Sequence, residues 1–424
     1  MTQLTWVFLI AVVAETATRL WLASRQISAV RAGRNEVPEA FHGQIALAEQ
    51  QRAADYTVAR VQLGRCAAVI EALVKLAFTV GGIAAAIDAV WRHSGLGEPW
   101  RGLFIIATFL LLVKAVGLPF SLWRTFRIEA RFGFNRVSPR LFAGDAAKRA
   151  LLSVLLGGPL LLAVLSLMEN AGTGWWLWVW LIWTCWTLGL TWAAPKFIAP
   201  LFNRFSPLAD PLLKDRVDSL LVRCGFAAGG GVFVMDGSLR SGHANAYFTG
   251  IGRNKRIVFF DTLLQRIEPE EIEAVLAHEL GHFRLHHVRQ RLGASLVLTF
   301  SGLAMLAWLA ARPQFYAALG VPTPSPEMAL LLFALVVPVF TFFAHPLMSW
   351  WSRRQELEAD EFAAKHADAG KLIGALIKLF RDNATTLTSD RVHSAFFDSH
   401  PPALERIARL HALTPALPTS LGGG

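Results

Sequence analysis

Charged residues are scarce in this chain of 424 residues: they make up 17% of it, whereas soluble domains carry about 25%. Hydrophobic residues make up 54%, and the mean hydropathy is +0.42. This balance excludes an ordinary soluble protein and predicts a polytopic membrane protein. Cysteine is scarce as well: Cys66, Cys185 and Cys224 lie far apart, which excludes a disulfide framework and a cysteine metal site.

Long apolar stretches are abundant instead. About seven of them approach or exceed the roughly 20 residues that span a bilayer. They are Leu4–Ala23, Arg65–Trp91, Gly102–Trp123, Ala150–Met168, Trp175–Ala194, Leu292–Ala311 and Met328–Trp350. Glu15, Arg19, Glu71 and Lys75 lie inside them, and charges facing lipid are unfavourable. The sequence therefore predicts an all-α polytopic membrane protein whose helices enclose a hydrated chamber.

Basic residues alternate between successive loops. Arginine-rich segments follow the first, third, fifth and last spans, and the other loops carry few basic residues. By the positive-inside rule, the N-terminus lies outside and the C-terminus lies in the cytoplasm. The alanine- and arginine-rich composition predicts a bacterial inner membrane, with a periplasmic N-terminus. The net charge of +10 fits basic loops beside anionic membrane lipids and requires no nucleic acid partner.

The most informative motif is H-E-x-x-H, within the helix-like run EPEEIEAVLAHELGHFRLHH. His278 and His282 are four residues apart, so on a helix both imidazoles lie on one face and can converge on one metal ion. Glu279 can act as a general base toward water at that metal. This arrangement is typical of zinc peptidases. The alternative is a buried amphipathic helix with two incidental histidines.

A catalytic zinc site usually needs a third protein ligand. The helix-like run WWSRRQELEADEFAAKHADAG offers Glu356 and Asp360, which are four apart and share a face. We expect Glu356 to bind the metal and Asp360 to accept the ring N–H of a ligand histidine. Glu358 is expected to point elsewhere. The alternative is that these carboxylates only pair with nearby arginines and lysines.

About a hundred residues between the fifth span and the H-E-x-x-H helix predict a mixed α/β cytoplasmic domain. Strands are expected at Val232–Met235, Ala244–Thr249 and Arg256–Asp261, in a small antiparallel sheet with a turn at Asp236-Gly237. Ala244–Phe248 is the candidate edge strand for pairing with a peptide substrate. The alternative is an ordinary strand that packs on the metal helix.

These features predict five parts of the chain. They are transmembrane helices 1–5 with Arg-rich cytoplasmic loops (1–194), a cytoplasmic metalloprotease segment (195–291), transmembrane helices 6 and 7 (292–350), a C-terminal catalytic segment with the third zinc ligand (351–415) and a flexible tail (416–424).

Six segments also occur in an order typical of one family. They are RFGFNR (131–136), IAPLFNRFSPL (198–208), MDGSLRSGHANAYFTGIGRNKRIVFFDTLL (235–264), HELGH (278–282), RRQELEAD (353–360) and SHPPALERI (399–407). Through them nearly the whole chain resembles the type I CAAX prenyl endopeptidases, which are polytopic zinc proteases. The resemblance implies seven long transmembrane helices forming a barrel around a water-filled chamber, with a small α/β zinc-metalloprotease domain closing its cytoplasmic end.

The resemblance implies one Zn²⁺ per chain, bound by His278, His282 and Glu356. It also implies that Glu279 is the catalytic base and that Asp360 supports a ligand histidine.

Further residues follow from the same resemblance. His400 and Arg406 match residues beside the zinc and are expected to have catalytic roles. Asn245, Ala246 and Tyr247 are expected to bind substrate, because they match the segment that lines the substrate cleft.

The predicted function is therefore that of an integral membrane zinc endopeptidase. Its expected partner is a peptide or protein, with or without a C-terminal isoprenoid, which it cleaves near the C-terminus by zinc-activated water. Two alternatives remain at this point: a membrane-protein quality-control metalloprotease, and a non-enzymatic transporter or receptor with a vestigial metal site.

Overall fold

The computed structural model describes residues 2–226, 231–249 and 256–413, which are mostly helical. The helices are α1 (Gln3–Ala32), α2 (Leu47–Phe78), α3 (Ile83–Arg92), α4 (Trp100–Trp123), α5 (Pro139–Leu152), α6 (Gly158–Asn170), α7 (Trp175–Ala193), α8 (Pro211–Arg223), α9 (Asp261–Leu264), α10 (Pro269–Arg284), α11 (His287–Ala310), α12 (Pro313–Ala318), α13 (Pro326–Thr341), α14 (His345–His366), α15 (Ala369–Asp382), α16 (Arg391–Phe397) and α17 (Ala403–Leu413). The strands are β1 (Phe205–Pro207), β2 (Val232–Met235), β3 (Ala246–Thr249) and β4 (Arg256–Phe260).

Within the described residues, six helical runs are long and apolar enough to cross a membrane. The pair α2 and α3, bent by 48° at a short break, is the seventh candidate. The six runs are Gln3–Ala32, Trp100–Glu129, Pro139–Asn170, Gly172–Leu201, His287–Ala310 and Pro326–His366. Each of the seven predicted spans overlaps one of these candidates. The prediction of about seven transmembrane helices is therefore confirmed.

The last of these runs joins the membrane to the predicted third ligand. It extends over 41 residues, because α13 and α14 are connected by a single 3₁₀ turn at Phe342–Ala344. A helix rises about 1.5 Å per residue, so this run is much longer than the roughly 30 Å hydrocarbon core. Glu356 therefore lies on a direct helical extension of the last span.

Charged side chains inside the spans pair with one another. The carboxylate of Glu15 is buried and accepts contacts of 2.7 Å from both Lys75 Nζ and Arg19 Nη2. Arg19 Nη1 lies 3.7 Å from the carboxylate of Glu71. These pairs link α1 to α2, which lowers the cost of placing charges within a membrane helix bundle.

A cavity of about 910 Å³ lies between membrane-capable helices and the C-terminal helices, but Glu15, Arg19, Glu71 and Lys75, the charged residues inside the predicted spans, do not line it. Its lining residues come from α1, α2, α4 and the turn after it, from α15, α16 and α17, and from the segments that join these last three helices. Tyr56, Arg60, Ser121 and Arg124 give one wall polar groups, and His400 lies on another wall. Apolar side chains such as Leu63 and Phe120 share the lining with these polar groups.

The sheet has the strand order β1-β2-β4-β3 and is mixed. The strands β2, β3 and β4 lie close to the predicted positions, whereas β1 was not predicted, and the expected antiparallel arrangement is wrong for one pair. β2 runs parallel to β4, whereas β1 pairs antiparallel with β2 and β3 pairs antiparallel with β4. The order places β3 at an edge, as predicted for the segment Ala244–Phe248.

The reason for the parallel pair lies at Asp236-Gly237. Instead of a tight hairpin turn, these residues begin a 3₁₀ helix at Gly237–Leu239 that leads the chain away from the sheet. A Cβ atom at position 237 would lie 2.5 Å from the ring of Phe260. Glycine thus lets the chain pass close to the end of β4 before it returns as β3 on the far side.

The closest helix packing near the predicted metal ligands is that of α10 on α14. A Cβ atom at Gly281 would lie 3.1 Å from the Cα atom and 3.2 Å from the carbonyl oxygen of Ala359. Ala359 and Ala363 are fully buried against α10 or its neighbours. Small residues on both helices therefore permit a backbone approach that larger side chains would prevent.

We expect Gly281→Val to lower the free energy of unfolding by about 1–3 kcal/mol, because the added methyl groups must displace Ala359. Gly293→Val is the matched control, since Gly293 also lies inside a helix and a Cβ atom there meets nothing within 4 Å. Thermal denaturation of both variants in one detergent measures the difference. Equal midpoints for the two variants would contradict the packing argument.

Candidate metal centre and active site

The helix α10 begins with several features that favour a helical start. Pro269 occupies its first turn, and Glu270 and Glu271 add negative charge at the positive end of the helix dipole. The carboxylate of Glu271 also accepts a hydrogen bond of 2.9 Å from the backbone N–H of Glu268. The helix then continues through His278 and His282, whose ring centroids are 4.9 Å apart.

The structure brings the three predicted ligands together. The Nε2 atoms of His278 and His282 are 3.3 Å apart. Glu356 Oε2 lies 3.4 Å from His278 Nε2, and Glu356 Oε1 lies 3.3 Å from His282 Nε2. Within the described residues, these three side chains are the only group of three or more potential ligands with such close donor atoms.

These separations fit a zinc ion. Tetrahedral zinc with bonds of about 2.0–2.1 Å to nitrogen and oxygen places its ligand atoms about 3.3–3.4 Å apart. Glu356 is 4% exposed, and its Oε2 atom accepts no hydrogen bond. His400 Nδ1 lies 2.8 Å from this oxygen, but not in hydrogen-bond geometry. A buried, unsatisfied carboxylate oxygen beside two imidazoles is the donor set expected for a bound cation.

Asp360 supports His278 from the side opposite the three ligand atoms. Its Oδ1 atom lies 2.8 Å from His278 Nδ1, which is the contact expected for a residue that fixes the ring of a ligand histidine. Arg406 in turn binds Asp360 through two hydrogen bonds of 2.6 Å, from Nε to Oδ2 and from Nη2 to Oδ1. Both Asp360 and Arg406 are buried, and Arg406 Nη2 also lies 3.2 Å from His278 Nδ1.

The electrostatics of this group favour a positive charge at its centre. Burial and the Arg406 guanidinium lower the pKa of His278, but hydrogen bonds to Asp360 and Glu356 outweigh them and raise that pKa to about 9. A metal ligand must be a neutral imidazole, so a bound metal ion would replace this proton. For Arg406, burial lowers the pKa, but the bonds to Asp360 raise it above its usual value.

Two further predicted residues are His400 and Glu279. The side chain of His400 is 65% exposed, with Nδ1 2.8 Å from Glu356 Oε2, and it lines the 910 Å³ cavity. Arg353 holds the backbone near His400 by donating to the carbonyl oxygens of Ser394 and Asp398, both at 3.0 Å. Glu279 is half-buried and makes no hydrogen bond or ion pair with the residues that the structure describes.

One residue near the ligands, His287, is absent from the sequence-based prediction. His287 is 1% exposed, and its Nδ1 atom lies 3.0 Å from His282 Nδ1. Its Nε2 atom lies 3.1 Å from Glu358 Oε2. Glu358 was expected to point elsewhere on its helix, but it approaches the metal ligands through His287. The histidine-rich run HFRLHH was a signal, but a continuous helix would carry His287 away from His282.

The predicted substrate-binding residues lie at and beside the edge strand β3. Asn245 immediately precedes the strand and accepts a hydrogen bond from Phe260 N at 3.0 Å. In an antiparallel pair, bonded and non-bonded positions alternate, so the backbone of Ala246 faces the free edge. The amide of Ala246 donates to Asn245 Oδ1 at 2.8 Å. Tyr247 is half-buried beside Phe260, and burial raises the pKa of its hydroxyl.

Two family models match the chain in succession. The first, described as the CAAX prenyl protease N-terminal region with five membrane helices, matches residues 26–204. The second, Peptidase family M48, matches residues 207–414. The boundary between them falls near β1, where the membrane helices give way to the sheet and α10.

Curated relatives share this organisation. A CAAX prenyl protease 1 homolog of Oryza sativa is 34% identical over 333 residues, which cover 76% of this chain and 78% of the relative. CAAX prenyl protease 1 of Saccharomyces cerevisiae is 35% identical, covering 73% of this chain and 72% of its own. The Homo sapiens homolog is 31% identical, with coverage of 77% and 79%.

A solved structure extends the similarity to the fold. The crystal structure of S. mikatae Ste24p superimposes with a TM-score of 0.88 at 27% sequence identity, covering 97% of this chain and 99% of that one. The membrane helices, the sheet and the metal-ligand helices therefore follow one known architecture. This chain belongs to the CAAX prenyl protease family and is a membrane zinc metalloendopeptidase.

Proposed function

We propose that His278, His282 and Glu356 bind a single zinc ion and that hydrolysis takes place beside them. The observation that carries this proposal is the mutual spacing of two Nε2 atoms and the Glu356 oxygens, 3.3–3.4 Å in each case. Asp360 fixes the orientation of His278, and Arg406 holds Asp360 ionised and in place.

When bound, zinc supplies Lewis acidity, which lowers the pKa of water to about 7 and polarises a peptide carbonyl. Glu279 adjoins the ligand His278 and is free of other partners in the described part of the chain. Its carboxylate accepts a proton from the attacking water and delivers that proton to the leaving amine. His400, exposed to the cavity, donates a hydrogen bond toward the oxygen that becomes negative during attack.

Arg406 contributes through its contacts with other side chains. Its two shortest hydrogen bonds go to Asp360, its Nη2 atom lies 3.2 Å from His278 Nδ1, and its side chain is only 9% exposed where it lines the cavity. We assign Arg406 a positioning role for Asp360 and His278, in place of the direct catalytic role implied by family resemblance alone.

The substrate is a peptide that adds a strand beside β3. The backbone carbonyl of Ala246 faces the free edge of the sheet, and its N–H is held by the Asn245 side chain. A substrate strand can bind this carbonyl and replace the Asn245 contact, which gives affinity independent of its side chains. Tyr247 and Phe260 then lie beneath the bound strand.

The relatives are named as CAAX prenyl proteases, and the cavity suits a lipidated C-terminus. Apolar side chains such as Val61, Leu63 and Phe120 share its lining with polar groups, and His400 connects it to the ligands. We propose that a C-terminal isoprenoid occupies this cavity. The alternation of basic loops favours a cytoplasmic active site and C-terminus, and a bacterial inner membrane remains the predicted location.

The two alternatives considered for the sequence have less support. A quality-control metalloprotease typically has about four membrane spans, whereas this chain has up to seven candidates and matches the prenyl protease family along its length. A vestigial metal site in a transporter would not need an intact Glu279 beside three converging ligands.

We expect Glu279→Gln to retain one zinc ion per chain and to lose about 100- to 10,000-fold in kcat, because the amide cannot accept the proton of water. Glu270→Gln on the same helix is the control, since Glu270 is half-buried and forms its ion pair with Arg216 on α8. Cleavage of a farnesylated CAAX peptide and metal analysis measure both effects. A Glu279→Gln enzyme with normal turnover would refute the role of the base.

His278→Ala and Glu356→Ala should each lose most of the bound zinc as well as activity, because each removes one of three protein ligands. A chelator should likewise inactivate the wild-type protein, and added zinc should restore it. His411→Ala, an exposed histidine on α17, should keep full zinc content. Full zinc occupancy in either ligand variant, measured on purified protein, would exclude that residue from the metal site.

Ala246→Pro should raise KM for the farnesylated peptide about tenfold with unchanged zinc content, because proline removes an edge N–H and crowds the incoming strand. The zinc content of the same preparation serves as the control for folding of the metal site. Steady-state kinetics separates KM from kcat. An unchanged KM would show that the substrate does not pair with this edge.

A further inference from the structure

The two proposed histidine ligands differ in the residues that contact the ring nitrogen facing away from the metal site. His278 is held by Asp360, which is held by Arg406. His282 instead contacts a second imidazole, His287, whose Nδ1 atom lies 3.0 Å from His282 Nδ1. The ring centroids of His282 and His287 are 5.2 Å apart, with the rings inclined at 69°. This second set of contacts has no part in the mechanism described above.

The positions of the protons follow from the proposed metal site. His282 directs Nε2 toward Glu356 and His278, so its Nδ1 atom carries the ring hydrogen. A hydrogen bond between the two Nδ1 atoms then requires His287 Nδ1 to be the acceptor. The remaining nitrogen of a neutral His287, Nε2, carries its hydrogen and donates to Glu358 Oε2 at 3.1 Å.

The contacts that lead from His282 through His287 to Glu358 end at an arginine. Glu358 Oε1 accepts a hydrogen bond of 3.0 Å from Arg354 Nε, one helical turn earlier on α14. Both ligand histidines are therefore followed by a carboxylate that an arginine binds. His278 contacts the carboxylate of Asp360 directly. The neutral ring of His287 lies between His282 and the carboxylate of Glu358.

A break in the helix makes this contact possible. On a continuous helix at about 100° per residue, positions five apart point in directions about 140° different. Here α10 ends at Arg284, His286 has a φ of +63°, and α11 begins at His287. Non-glycine residues rarely adopt that conformation, and such positions are concentrated at functional sites. The break turns the His287 side chain back toward His282.

We propose that His287 is a positioning residue for the metal site: its Nδ1 atom accepts the ring N–H of His282 and so fixes the tautomer and the angle of that ligand. Glu358 fixes His287 in turn by accepting from its Nε2–H. The proposal rests on the metal assignment made under the proposed function. Under this proposal, tight metal binding requires His287 and Glu358 in addition to the three ligands and Asp360.

The test compares zinc affinity in the full-length protein in detergent, by competition with a chromophoric chelator. His287→Leu removes the acceptor and should weaken zinc binding about 10- to 100-fold. His287→Asn places a carbonyl oxygen near the position of Nδ1 and should stay within about threefold of wild type. His366→Leu is the control, because His366 is a half-buried imidazole on α14 that bonds only a backbone carbonyl.

A second pair of variants tests the outer carboxylate. Glu358→Leu should weaken zinc binding about threefold or more, and Glu361→Leu should not. The pair is matched, since both glutamates lie on α14, have side chains about 40% exposed and pair with a cation four residues away. Visible absorption of the Co²⁺-substituted protein gives an independent readout, with a band changed in His287→Leu and preserved in His287→Asn.

The outcomes distinguish the positioning role of His287 from the metal assignment on which it rests. If His282→Ala binds zinc as tightly as wild type, the metal assignment itself is wrong. If His282→Ala loses zinc but His287→Leu binds it normally, only the role of His287 is wrong. If His287→Asn is as weak as His287→Leu, or if His366→Leu is equally weak, the loss reflects packing and the acceptor role is refuted.

Discussion

The close packing of α10 on α14 is the contact on which the candidate site depends. His278 and His282 share one helix, so their spacing follows from local geometry, but Glu356 comes from a helix more than seventy residues later. Gly281 and Ala359 let the two backbones approach closely enough for a short glutamate side chain to reach between two imidazoles. The proposed ligand set is thus a product of helix packing, and α14 also carries Asp360 and Glu358, the carboxylates that contact His278 and His287.

This packing also ties the chemistry to the membrane. α14 continues from the last span, and α11, another candidate span, begins directly after the break that places His287. The proposed catalytic groups therefore lie near the ends of helices that are long and apolar enough to cross a membrane. The sheet contributes a different element, a free strand edge at Ala246, which lies beside these helices without supplying any of the three ligands.

The sequence predicts contacts that spacing along one helix determines, and it misses contacts that depend on the path of the chain between elements. The pairs His278 and His282, and Glu356 and Asp360, are four apart on strongly periodic helices, so their shared faces were predictable. His287 was missed because its contact needs a left-handed residue at His286, which no local rule places there. The parallel pairing of β2 with β4 was also missed, because Asp236-Gly237 is a frequent hairpin signal but here opens a 3₁₀ turn against Phe260.

The size of the cavity beside His400 limits what kind of polypeptide can come that way. Its volume is about 910 Å³, whereas a domain of 100 residues has a radius of gyration of about 13 Å and cannot enter. A chain that reaches His400 through this space must be unstructured over its final residues. Under the proposed route, a tightly folded C-terminus would be excluded from the space beside His400, and an extended one would fit.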